Sequence, residues 1–119
     1  MIKDKELKKI IELLEAIQLS ESFSTMRHVP TEYTLTLKRK LRQILESYSK
    51  DAVFYLYLLV HLGEANPSLE QASKIIDHLH KKRTKDSAYL IDYLVRKEGL
   101  IEPLLRGNHI LKTLSKDNT

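Results

Sequence analysis

The sequence predicts a mainly α-helical, compact domain of five to six helices, and three observations support this fold class. Apolar residues recur at helical spacing along most of the 119 residues. Short hydroxyl or carboxylate side chains precede several of these stripes, at the position of a helix N-cap. The length is that of one domain, so the 42% of hydrophobic residues should form one core. We therefore expect residues 1–119 to form a single domain, with residues 1–50 as an N-terminal helical pair.

Two amphipathic helices separated by a loop are predicted in this N-terminal pair. The first begins near Asp4, and the second follows Pro30 with Thr31 or Thr34 as its N-cap. Residues 20–30 lose the helical spacing and are rich in hydroxyl side chains, which predicts a loop. The apolar stripes of the two helices are Leu7, Ile10, Ile11, Leu14 and Ile17, and then Leu37, Leu41, Ile44, Leu45 and Tyr48.

The next two helices differ in how their apolar residues are distributed. The third has Asp51 as its predicted N-cap and is apolar on every side until Gly63, a residue that commonly follows a helix C-terminus. A helix without a polar side belongs in the centre of the fold. The fourth is amphipathic and opens with a capping box formed by Ser68 and Gln71.

A fifth helix is predicted from Asp86 or Ser87, and its inward residues are Leu90, Ile91, Leu94 and Val95. Residues 100–114 allow two interpretations. They form either two short helices or a hairpin that turns at Gly107-Asn108, a dipeptide suited to positive φ.

Composition limits the compartment and the class of partner. The 20 lysines and arginines exceed the 16 aspartates and glutamates by 4, a mild surplus that favours anionic partners. The absence of cysteine excludes disulfides, cysteine-ligated zinc and thiol catalysis, and it fits a cytoplasmic location. The apolar run at residues 52–62 is far shorter than the roughly 20 residues that cross a membrane. We expect a soluble protein with no membrane partner.

No residue pattern predicts a catalytic or metal site. His78 and His80 are two positions apart, so they point to different sides of a helix and do not share a metal ion. The carboxylates occupy outward helix positions, and the three glycines are too far apart for a phosphate-binding loop. We expect no enzymatic activity, no cofactor, no metal and no small-molecule substrate.

Two basic clusters, residues 38–42 and 81–85, each hold four cations in five positions. The first is accounted for by the solvated side of an amphipathic helix. The second precedes the fifth helix, where Tyr89, Tyr93 and Arg96 share the outward side with Lys85. An exposed strip of cations and aromatics can contact phosphates, sugars and bases. Alternatively, the two tyrosines are half buried against the first helix or a second subunit.

Two segments of the C-terminal half, residues 51–119, carry a resemblance to a known family: residues 68–76 (SLEQASKII) and residues 94–102 (LVRKEGLIE). The second is similar to the end of the recognition helix and the start of the wing in winged helix-turn-helix DNA-binding domains, and the first resembles the helix that precedes the recognition helix there. The resemblance implies that residues 100–105 and 109–114 form wing strands, with Arg106 at the tip near phosphate.

Two functions follow as expectations. The first is a small regulatory protein that binds double-stranded DNA through the fifth helix and pairs as a homodimer through the first. The second is a helical adaptor that binds another protein, because tyrosine and arginine also anchor protein interfaces. The residues predicted to contact nucleic acid are Lys81, Lys82, Arg83, Lys85, Tyr89, Tyr93, Arg96 and Arg106.

Overall fold

The computed structural model describes residues 2–22, 31–83 and 86–117. Its six helices are α1 (Asp4–Ser22), α2 (Glu32–Glu46), α3 (Lys50–Ala65), α4 (Leu69–Lys81), α5 (Ser87–Arg96) and α6 (Ile101–Asp117). These described residues contain no strand. The mainly α-helical fold class is therefore confirmed.

Five of the helices form a closed ring around the main hydrophobic core. Going around the ring, α1 packs against α2, α2 against α5, α5 against α3, α3 against α6, and α6 against α1. The remaining helix, α4, lies outside this ring on the edge formed by α3 and α6. A second apolar cluster, which includes Leu62, Ala72 and Ile110, fills the space between these three helices. The result is an elongated molecule of 47 × 25 × 25 Å.

The third helix is the buried centre of the fold, as its uniformly apolar sequence predicts. Val53, Leu59 and Leu62 are each 0% exposed. Its start differs from the prediction, because the N-cap is Ser49, whose hydroxyl accepts a hydrogen bond from the Ala52 amide at 3.1 Å. Asp51 instead lies in the first turn of α3, where its negative charge interacts favourably with the positive end of the helix dipole. Its side chain is exposed to solvent.

Gly63 does not end α3, which corrects the sequence-based expectation. The helix continues to Ala65 and ends at Asn66, which adopts the left-handed conformation with φ 44° and ψ 53°. Gly63 faces the backbone of Pro103 in α6, and a Cβ atom at Gly63 would overlap the Pro103 carbonyl group. The glycine allows two helices to approach closely.

Residues 101–117 form one continuous helix. The expected alternatives, two short helices or a hairpin at Gly107-Asn108, are both wrong, and so are the wing strands expected at residues 100–105 and 109–114. Leu104 and Ile110 are buried at helical spacing, and Gly107 faces the backbone of Leu59 in α3 rather than forming a turn. Pro103 stands in the first turn of α6, where a helix does not need its amide hydrogen.

A directed chain of hydrogen bonds joins the end of α1 to the start of α2. The Ser20 hydroxyl donates to the Ile17 carbonyl at 2.8 Å, so it accepts from the Thr34 hydroxyl, also at 2.8 Å. Thr34 in turn accepts from the hydroxyl of Thr31 at 2.9 Å. The predicted loop therefore starts later than residue 20, since α1 runs to Ser22. Residues 23–30 lie outside the described part of the chain.

Candidate functional site

A cleft opens where α4 and α5 diverge over α3, and we call it the α4/α5 cleft. It arises because α4 packs against α3 and α6, whereas α5 packs against α3 and α2. Between the two helices, Phe54 and Tyr57 of α3 form the bottom of a surface depression. The cleft has a volume of about 390 Å³ and is lined by Phe54, Tyr57, His78, Leu79, Lys81, Lys82, Arg83 and Leu90.

The floor and the rim of this cleft differ in chemistry. Phe54, Tyr57 and Leu90 form an apolar floor and are 5%, 9% and 3% exposed. The rim is cationic, with Lys81 and Lys82 exposed to solvent at the C-terminal end of α4. None of the lining residues is acidic. A bound group would therefore meet an apolar surface below and positive charge at its edge.

Arg83 is held in a fixed position at one side of the cleft. Its guanidinium donates a hydrogen bond to Asp51 Oδ1 at 2.7 Å and lies over the Phe54 ring, 4.5 Å from the ring centre. The imidazole ring of His80 also packs against the Phe54 ring, and the centres of the two rings are 5.0 Å apart. The hydrogen bond from Arg83 holds the pKa of the Asp51 carboxyl below its usual range. The guanidinium thus contacts a carboxylate on one side and an aromatic ring on the other.

Tyr93 belongs to a cluster that faces the C-terminal end of α3. Its hydroxyl donates to Glu64 Oε1 at 3.4 Å, and Lys97 forms an ion pair with the same carboxylate at 3.2 Å. The Tyr93 ring meets Tyr57 edge to face, with the ring centres 5.3 Å apart. Burial, followed by the charge of Glu64, raises the pKa of the Tyr93 hydroxyl. Tyr93 is thus half buried against α3, and not against the first helix, which the alternative interpretation had proposed.

The outward side of α5 carries a tyrosine and an ion-paired arginine. Tyr89 is 52% exposed. The Arg96 side chain is 78% exposed and pairs with Asp92 at 3.1 Å, and Asp92 is also bound by Arg42 of α2 at 2.8 Å. Hydrogen bonding from Arg42 is the main reason that the pKa of Asp92 is lowered. Much of the positive charge beside α5 is therefore balanced within the protein.

Arg106 lies apart from the other predicted residues. It is on α6, and its guanidinium donates to the carbonyl oxygen of Gly63 at 2.8 Å, near the C-terminal end of α3. Arg83, in contrast, binds Asp51 in the first turn of α3. The points at which the two arginines contact α3 are about 12 residues apart, or roughly 18 Å along that helix.

The predicted set of residues is therefore divided among several places. Lys81, Lys82 and Arg83 share the α4/α5 cleft, and Tyr89 and Arg96 share the outside of α5. Tyr93 packs beside the cleft on Tyr57 and binds Glu64, and Arg106 contacts the C-terminal end of α3. Lys85 lies outside the described residues.

The apolar half of the cleft was missed by the sequence reasoning. Phe54 and Tyr57 lie on a helix that is apolar on every side, so no stripe marks which residues α4 and α5 leave uncovered. Leu79 and Leu90 have the spacing of ordinary core residues. The one available signal was the run of cations beside His78 and Leu79, at the end of an amphipathic helix.

The described ranges, 2–22, 31–83 and 86–117, contain no group of three or more histidine, cysteine, aspartate or glutamate side chains that could hold a metal ion.

A search of the helices in the described residues finds none long and apolar enough to span a membrane.

Comparisons with protein-family models, curated proteins and solved structures give no match to this chain. The fold and the site alone therefore define the class of protein: the described residues form a helical ring that carries a cleft of mixed apolar and cationic character.

Proposed function

We propose that this chain is a helical protein-interaction module that binds an acidic segment of a partner in the α4/α5 cleft. The observation that carries the proposal is the combination of an aromatic floor with a cationic rim in one surface depression of about 390 Å³. Exposed concave apolar surfaces in proteins commonly bind ligands or partners. Arginine and aromatic residues dominate the energetics of such contacts.

Size and charge indicate the chemistry of the bound segment. The cleft volume of about 390 Å³ accommodates one or two large side chains. It lies near the lower end of the roughly 300–1,000 Å³ that is typical of small-molecule sites. The rim presents Lys81 and Lys82 side by side along the end of α4 rather than several donors converging on one point, which suits a peptide better than a small rigid ligand. We infer that a bulky apolar side chain occupies the floor while neighbouring carboxylates meet the rim.

A second candidate function is DNA binding through α5, and the exposure of Tyr89 and Arg96 favours it. The resemblance to helix-turn-helix domains belongs to this second proposal. In it, α5 is the recognition helix, and Lys81 and Lys82 contact phosphates. The ion pair between Arg96 and Asp92 weighs against it, because Asp92 would have to be placed next to the DNA backbone. The cleft is the better supported of the two sites.

The two proposals are separated by nuclear magnetic resonance titration of the full chain with defined probes. The first probe is a short capped peptide with one phenylalanine flanked by glutamates, which we call the glutamate peptide. The others are the same peptide with lysines in place of glutamates and a random-sequence DNA duplex. We expect the glutamate peptide to shift the resonances of Phe54, Tyr57 and Leu90, and the lysine peptide to leave them unchanged.

Charge-reversal variants make this test specific. Lys81→Glu combined with Lys82→Glu should weaken binding of the glutamate peptide by at least about fivefold, because two rim cations are replaced by anions. The matched control is Lys74→Glu, an exposed position of α4 that does not line the cleft. Duplex binding that falls steeply with salt, without any peptide binding, would instead support DNA as the partner.

Homodimerisation through the first helix stays a prediction. The apolar residues Leu7, Ile10 and Leu14 of α1 are buried in the chain's own core, so a second copy would have to contact other residues of α1. Sedimentation equilibrium over a range of protein concentrations tests this pairing.

A further inference from the structure

We infer that a carboxylate of the bound segment binds Arg83, and that Asp51 competes with this carboxylate for the same guanidinium. This inference rests on the proposed function of the α4/α5 cleft. It identifies the recognised chemistry as a carboxylate next to a bulky apolar side chain.

The first step of the argument is the position of Arg83 relative to the floor of the cleft. Its guanidinium lies over the Phe54 ring, and both residues line the cleft. A carboxylate that binds this guanidinium therefore lies close to an apolar side chain that packs on Phe54. The two groups belong on the same or on neighbouring residues of the bound segment.

The second step is that the internal partner of Arg83 is easily displaced. Asp51 binds Arg83 at 2.7 Å, yet its side chain is 77% exposed, whereas the Arg83 side chain is only 32% exposed. The arginine is thus held by the fold while the aspartate is open to water. Exposed ion pairs of this kind contribute little net stability, so an incoming carboxylate can replace Asp51 at small cost.

The third step concerns geometry. A guanidinium presents several N–H donors in a planar fork and binds a carboxylate through two of them, which a lysine ammonium does not do. The hydrogen bond to Asp51 uses one guanidinium nitrogen, Nη2, and one carboxylate oxygen, Oδ1. The fork of Arg83 is already oriented at the edge of the cleft when a partner arrives.

The test compares Asp51→Asn with the wild-type chain, using the glutamate peptide and a version with glutamines in place of glutamates. Removing the competing carboxylate should strengthen binding of the glutamate peptide by about twofold to fivefold. It should leave binding of the glutamine peptide unchanged. The control is Asp92→Asn, which removes the same charge from another arginine pair outside the cleft and should have no such effect.

A second variant tests the arginine directly. Arg83→Lys keeps the charge and should weaken binding of the glutamate peptide by about threefold to tenfold, because the planar fork is lost. Arg96→Lys, away from the cleft, should not change it. Thermal unfolding of each variant shows whether the chain is still folded.

The outcomes distinguish the inference from the proposal on which it rests. Binding of the glutamate peptide that is equal or weaker in Asp51→Asn overturns the inference alone, as does an equal gain for the glutamine peptide or for Asp92→Asn. If neither the glutamate peptide nor the glutamine peptide perturbs the cleft, in the wild type or in Asp51→Asn, the proposed function is overturned and the inference with it.

Discussion

Gly107 of α6 lies directly against the backbone carbonyl of Leu59 in α3, with no space between them for a Cβ atom. Gly63 of α3 has the same relation to Pro103 of α6, four residues along each helix in opposite directions. The two contacts show that α3 and α6 run antiparallel and that their backbones touch at glycine. This interface closes the ring next to the buried centre of the molecule.

Replacing Gly107 by alanine should lower the free energy of unfolding, by about 1–3 kcal/mol or more. Helix propensity alone predicts the opposite, because alanine at an ordinary helical position stabilises by roughly 0.5–1 kcal/mol relative to glycine. The sign of the change therefore reports whether the backbones are in contact. Urea unfolding measures it, and Gly63→Ala should behave in the same way.

The control for this experiment is Ser115→Ala, an exposed position of the same helix. It should change the free energy of unfolding by less than about 0.5 kcal/mol. A stabilised Gly107→Ala protein would show that α3 and α6 are farther apart than described.

Thr34→Val should destabilise the chain by about 1–3 kcal/mol even though the two side chains have nearly the same shape. Thr34 is 0% exposed, and its hydroxyl connects Ser20 to Thr31. Valine would leave the buried Ser20 oxygen without the hydrogen bond it accepts. The measurement is thermal or urea unfolding.

Thr36→Val provides a matched comparison, since Thr36 is on the same helix and its hydroxyl also donates a hydrogen bond, but at an exposed position. Water replaces that bond, so a change within about 0.5 kcal/mol is expected. Equal effects at the two threonines would contradict the role assigned to burial.

Asn66→Ala should cost about 1 kcal/mol, and Asn66→Gly should cost nothing or stabilise. Asn66 is exposed and has a positive φ of 44°, and its amide donates to the Leu62 carbonyl at 2.9 Å to close the last turn of α3. The difference between the two variants isolates the backbone conformation, because neither retains the amide side chain. Equal unfolding midpoints for alanine and glycine would be inconsistent with a left-handed residue at this position.

The ion pairs of Asp92 should make stability depend on pH in the acidic range. Arg42, and then Arg96, lower the pKa of Asp92 in the folded protein. The folded carboxylate thus binds a proton less readily than the unfolded one. The stabilisation is present above the unfolded pKa of about 3.9 and is lost as the pH falls through the lower, folded pKa.

Asp92→Asn should therefore be less stable than the wild type at neutral pH, and the two should converge as the pH falls below about 4. Urea unfolding at a series of pH values measures this difference. The control is Asp77→Asn, at an exposed position of α4. A difference between wild type and Asp92→Asn that is constant with pH would argue against the charge pairing.

Local sequence signals predicted the helices well. The N-caps of α2, α4 and α5 are Thr31, Ser68 and Asp86, each with a side chain that accepts from the amide three residues on. These caps depend on neighbours in the chain, so short-range chemistry determines them. The same applies to the apolar stripes of the amphipathic helices, because their period determines which side of each helix is buried.

Relationships between distant residues could not be predicted in this way. Gly63 and Gly107 have the properties of helix-ending residues when considered locally, and only the approach of another helix gives them their role. Arg83 pairs with Asp51, 32 positions away, and Arg42 pairs with Asp92, 50 positions away. The ion pair that neutralises Arg83, which was expected to bind nucleic acid, therefore depends on tertiary structure, whereas the pair between Arg96 and Asp92 is local, four positions apart.

The closure of the ring by α6 also determines the order in which the molecule can assemble. During synthesis α3 emerges well before α6, and until α6 arrives the glycine-bearing side of α3 has no backbone to pack against. Until α6 has been synthesised, α3, the most apolar of the described helices, lacks one of its packing partners. The ring of helices should consequently form cooperatively once α6 is present, rather than helix by helix.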